Sequence, residues 1–109
     1  MRISRAISDN RRVTLDEFQR TTSEDKPPAT LSAPLRALWH DARGEWDAAH
    51  EVAQNIDDPT GAWIHAYLHR KEGDLGNAGY WYRRAHKPEC RDPLDVEWKQ
   101  IVVAMLTAQ

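Results

Sequence analysis

An all-α fold of two tandem helix–turn–helix hairpins plus a C-terminal capping helix follows from three observations on this 109-residue chain. Apolar residues recur at helical spacing in every long segment from Leu31 onward, and none alternates as a strand would. Ser, Asp, Pro and Gly punctuate those segments where helices start and stop. One hairpin pattern then recurs at an offset of 29 residues, Gly44 falling on Gly73.

Residues 1–30 read as an N-terminal arm and flexible linker, and 31–109 as a single helical domain. The arm begins with Arg2, Arg5, Arg11 and Arg12 and lacks the apolar core of a secretory signal. Val13 to Arg20 can form a short helix, with Thr14 as N-cap and Glu17 at capping-box spacing, so that Leu15 and Phe18 share a face. Residues 21–30 are polar, contain Pro27-Pro28 and show no periodicity, the composition of a linker.

In the domain, Leu31, Leu35, Leu38 and Ala42 line the first helix. Ser32 can cap it, Pro34 fits its first turn, and Gly44 ends it. Trp46, Ala49, Ala53 and Ile56 make the stripe of the second. Asp58 and Pro59 start the third as cap and first helical residue, and Gly73 stops it after Glu72. Asp74 caps the fourth, whose stripe is Leu75, Ala78, Tyr82 and Ala85. Gly76 and Gly79, spaced i, i+3 in that helix, suggest a close helix–helix approach. Asp92-Pro93 repeats the start signal, and the last helix carries Leu94, Trp98, Ile101 and Met105 on one face. Trp81 is expected to pack on that last helix, against Trp98.

The second unit resembles a tetratricopeptide repeat. The resemblance rests on Ala62-Trp63, then Gly73-Asp74-Leu75, then Ala78, Tyr82, Ala85 and Pro88. It spans about residues 33–88 and implies a right-handed stack of hairpins, an α-α superhelix whose concave groove binds peptides or partner segments. The stretches Trp39 to His50 and His65 to Ala85 are also similar to a group of short bacterial proteins of no established activity.

Charge narrows the partners. Fifteen basic and seventeen acidic residues give a net charge of −2, unlike the basic balance of nucleic-acid modules. No apolar run reaches the ~18 residues of a membrane span. The single Cys90 excludes an internal disulfide framework and a multi-Cys zinc site. A cytoplasmic protein is expected. Acids beside the helix-ending glycines, Glu45 and Asp74, are explained by capping and the helix dipole.

The leading functional expectation is a non-catalytic binding or scaffold protein without a cofactor. It would engage a peptide, a protein partner or a second copy through Trp39, His40, His65, Tyr67 and His69. The alternative is a small-ligand or metal site, possibly an enzyme, in which His40, His65 and His69 hold a divalent metal such as zinc. His65 and His69 are one helical turn apart, and His40 corresponds to His69 in the repeat. The competing account has these rings packing on aromatics and hydrogen-bonding a carboxylate, in the groove or in the hairpin interior. What separates the readings is whether three imidazoles converge on one point.

Overall fold

In the computed structural model, residues 13–108 are described; the Arg-rich residues 2–12 of the expected arm lie outside them. Among the described residues six helices follow in order, α1 Leu15–Thr21, α2 Ala33–Ala42, α3 Trp46–Gln54, α4 Pro59–Glu72, α5 Leu75–Ala85 and α6 Leu94–Ala108. No strand occurs among the described residues.

Local chemistry sets the boundaries. At α1 the full capping box forms: the Glu17 N–H donates to Thr14 Oγ1 and the Thr14 N–H donates to Glu17 Oε1. At α4 the Asp58 carboxylate accepts from the Gly61 N–H, and Pro59 takes the first helical position. Gly73 closes α4 with φ +92°, a left-handed turn that a side chain would strain. Asp74 caps α5 through the Asn77 N–H. Glu45 departs from this pattern: it caps nothing, and its carboxylate instead accepts from His40 Nδ1 and Arg43 Nε.

Consecutive helices pack in pairs, α2 on α3 and α4 on α5, and α3 on α4 joins the pairs. α6 lies against α2 and α4. One apolar cluster runs through Leu35, Leu38, Trp39, Ile64, Leu68, Trp98 and Ile101. A smaller one gathers Ala66, Ala78 and Tyr82.

The arm does not stop short of this core. Phe18 is fully buried in the main cluster, its ring 6.0 Å from that of Trp98. Trp39 Nε1 donates to Thr21 O, and Arg43 Nη1 donates to the carbonyls of Thr22 and Glu24. A helix of seven residues is not stable alone; burying Phe18, worth about 1.5–3 kcal/mol, ties α1 to α6. The boundary expected near Leu31 therefore does not divide the packing.

Other expectations shift as well. Leu75 is 66% exposed, because the first position of α5 lies beyond the end of α4. Gly76 has open space around its missing Cβ, and a Cβ on Gly79 would meet only the tip of Glu89. The close backbone approach is at Gly61, where a Cβ would stand 2.2 Å from the Ile56 carbonyl oxygen.

Candidate functional site

The imidazoles of His50, His65 and His69 meet between α3 and α4, with one nitrogen of each within 4.8 Å of the others. His65 and His69 stack at 4.9 Å between centroids, as their i, i+4 spacing on α4 requires. His50, from α3, meets them edge-on at 4.6 and 5.2 Å. Two indoles wall the cluster: Trp46 stacks on His50 at 4.9 Å, and Trp81 stacks on His65 at 3.9 Å. Trp81 thus packs on the histidines rather than on α6, and Trp98 pairs with Phe18 instead.

Burial acts on the protonation of this cluster. His65 is pushed down to about 4, first by burial and then by His50 and His69. His50 is lowered by burial and by His69. At neutral pH both rings are therefore uncharged, with a lone pair available. His69 is oriented by Glu72, whose carboxylate lies 2.7 Å from Nδ1. A carboxylate only accepts, so Nδ1 is the donor in this contact and Nε2 is the ring nitrogen left for another partner. Asn77 Nδ2 stands 3.4 Å from that Nε2. A carboxylate fixing one ring nitrogen while the other ligates is the usual support of a metal-binding histidine.

His40, expected as the third imidazole, is elsewhere. Its Nδ1 donates to Glu45 Oε1 at 2.8 Å and its ring lies edge-on to Trp39. It belongs to no metal-competent group among the described residues. Like His69 it pairs with a glutamate, though not at the repeat-equivalent position, and it has no neighbouring imidazoles. His50 was not singled out from the sequence. Its signal is its position, four residues after Trp46 and three before Ala53, on the buried stripe of α3. Trp39 and Tyr67, expected beside the histidines, are core residues only 1% and 2% exposed. Tyr67 Oη donates to Asp41 Oδ2, and Lys71 Nζ donates to Asp41 Oδ1.

A second buried polar centre, also unforeseen, surrounds Glu97, which is 1% exposed. Its carboxylate accepts from Tyr82 Oη at 2.9 and 2.7 Å, from Arg70 Nη1 at 2.8 Å and from Trp63 Nε1 at 3.3 Å. Arg70 also donates through Nη2 to the Asp92 carbonyl. Cys90 is partly buried and free, and burial raises its thiol pKa, the opposite of an activated nucleophile.

Comparisons with protein-family models, curated proteins and solved structures return no match for this chain. No helix among the described residues is long and apolar enough to cross a membrane.

Proposed function

We propose that this protein binds a divalent transition metal, zinc in the first instance, through His50, His65 and His69. The observation that carries the reading is the convergence of three imidazoles from two helices, backed by the Glu72 carboxylate on His69. Tetrahedral ligands at zinc bond lengths stand about 3.4 Å apart. Small ring rotations from the observed spacing reach that distance. Three histidines leave the fourth position for water or an exogenous ligand, the pattern of a reactive rather than a closed structural site.

This reading takes precedence over a peptide-binding scaffold, for which Trp39, 1% exposed in the core, would have to line a groove; of that pair only Tyr67 borders a cleft, with Asp41 and Lys71. The tetratricopeptide-like stacking of α2–α5 remains part of the proposal. It rests on the repeat spacing and on the pairwise packing, and it would explain how His50 of the first hairpin meets His65 and His69 of the second at the α3–α4 junction.

Equilibrium dialysis against Zn²⁺ or Co²⁺ tests it, alongside native mass spectrometry. One metal per chain is expected, lost in the His50→Gln/His65→Gln/His69→Gln variant and kept in His40→Gln. Trp46 and Trp81 touch the cluster, so Co²⁺ uptake should quench indole fluorescence. Absence of uptake by the unsubstituted chain, or uptake unchanged in the triple variant, overturns the assignment. Far-UV circular dichroism confirms that the variant compared is folded.

A further inference from the structure

The charges of this chain nearly cancel overall, yet they are sorted along it. Residues 44–58, which hold α3 and the turn into α4, carry five acids and no Lys or Arg. Residues 80–91, the second half of α5 and the loop after it, carry four Lys or Arg against one acid. On α3, Asp47, Glu51 and Gln54 recur at i, i+4 and i+7 and are exposed, so they share one face. On α5, Tyr80, Arg84 and Lys87 have the same spacing and are exposed as well. The two stripes flank one cleft. Gln54, Asp57 and Asp58 line it on the α3 side, and Trp81 and Arg84 on the α5 side.

Neither stripe is neutralised within the chain. Asp47, Glu51, Asp57 and Asp58 enter no ion pair among the described residues, and neither do Arg83, Arg84 and Lys87. The guanidinium of Arg84 lies over the rings of Tyr80 and Trp81, at 5.7 and 5.4 Å, and Nη1 donates to Tyr80 Oη. Lys87 Nζ stands 4.0 Å from the Trp63 ring centroid. Rings hold these cations in place without discharging them. Glu89, the one acid of the basic segment, reaches back to Gly79 on another flank of α5. Tyr80, 44% exposed, adds aromatic surface of the kind enriched at protein interfaces.

A partner of one charge sign would match only one stripe. A second copy of the chain matches both: a two-fold axis along the cleft sets the acidic stripe of each copy on the basic stripe of the other, and the contact closes. We propose that this face is a homodimer interface, in which Asp47 and Glu51 on α3 meet Arg84 and Lys87 on α5 of a second copy. The inference does not depend on the metal reading. A small, charged, exposed interface falls at the weak and salt-sensitive end of protein association.

Sedimentation equilibrium of the full chain in chelator tests it, with protein up to about 1 mM. Measurements in 0.1 M and 1 M salt compare screening lengths of about 10 and 3 Å. A reversible dimer is expected in 0.1 M salt, about tenfold weaker in 1 M. Asp47→Lys/Glu51→Lys and Arg84→Glu/Lys87→Glu each set like charges on like, and each alone should be monomeric. Mixing the two variants restores both pairings and should give a 1:1 heterodimer. All four positions are exposed, and circular dichroism checks folding; if either double variant unfolds, Glu51→Lys and Arg84→Glu take their places. An unsubstituted chain that stays monomeric in 0.1 M salt, a dimer that survives in either variant, a mixture that stays monomeric, or species growing past the dimer each overturns the inference.

Discussion

Two of the polar clusters buried among the described residues, around Glu97 and around His65, are built on opposite terms. Around Glu97 every strong group has a partner: one carboxylate collects a tyrosine hydroxyl, a guanidinium and an indole N–H. Around His65 three imidazoles lie ring against ring, and only His69 has hydrogen bonds to other side chains. Buried polar groups are normally satisfied, and exceptions call for a reason. A saturated network fixes how α4, α5 and α6 sit together. A cluster of convergent imidazoles with few hydrogen-bonding partners is the composition that the proposed metal site requires.

The sharpest way to break this contrast is at Glu97. Glu97→Ala strands a half-buried guanidinium, the buried Tyr82 hydroxyl and the partly buried Trp63 N–H, so a loss of about 3–5 kcal/mol is expected. For a chain of this size that lowers Tm by roughly 12 °C or more. Thermal melts check it. Metal stoichiometry of the folded fraction, measured below the new Tm, should not change. If Glu97→Ala abolished uptake without unfolding the chain, the two clusters would be one functional unit.

Glu72→Gln probes the other cluster with a gentler change. The amide no longer fixes the His69 tautomer, and loss of such a supporting carboxylate typically costs 10–100-fold in metal affinity. Fold stability should move little, since Glu72 is largely exposed. A competition titration with a chromogenic chelator gives the affinity, and an unchanged value would remove Glu72 from the site.

Acid should act on the metal-free protein through the same histidines. Their native pKa values are depressed, His65 to about 4 and His50 below the ordinary 6.5. The unfolded chain therefore binds more protons than the folded one between about pH 6.5 and 4, and stability must fall as pH drops through that window. Above pH 7 these groups contribute no further slope. Denaturant midpoints measured from pH 7.5 to 4 should decline, and decline less in His50→Gln/His65→Gln. Equal slopes in the two proteins would show that the acid response comes from other groups.

How much of this was legible in the sequence depends on whether the signal is local. The caps at Thr14, Asp58 and Asp74 and the stop at Gly73 each need only a few neighbouring residues, and all formed as expected. His65 and His69 were legible as a pair because one helix turn joins them. His50 was not, because its partners lie across a helix–helix junction whose rotation the sequence does not state. Repeat equivalence pointed to His40 instead, but equivalence transfers a position along the helix, not the elements packed around it. Glu97 escaped notice because a glutamate in the first turn of a helix ordinarily faces water. Its burial follows from Tyr82 and Arg70, residues of two other helices. Phe18 was legible as one face of a short helix with Leu15, but its burial against Trp98 was not, because that partner lies on the last helix.

The smallest effect concerns the glycines, where the two helices of the second hairpin differ in packing. Gly76 was expected to permit a close approach, yet nothing stands within 4 Å of its missing Cβ. With open space and a helical backbone, Gly76→Ala should stabilise the chain by about 0.5–1 kcal/mol, the usual helix cost of glycine. Gly61→Ala should do the reverse. Its Cβ would meet the Ile56 carbonyl oxygen at 2.2 Å, and backbone cannot step aside as a side-chain tip can. Because Ile56 lies in the connection from α3 to α4, any shift there also moves His50 relative to His65. Gly61→Ala is thus expected to weaken metal uptake along with stability, whereas Gly76→Ala changes stability alone. Paired urea melts and dialysis distinguish them, and equal effects of the two substitutions would show that α4 is not held close to the α3–α4 connection in solution.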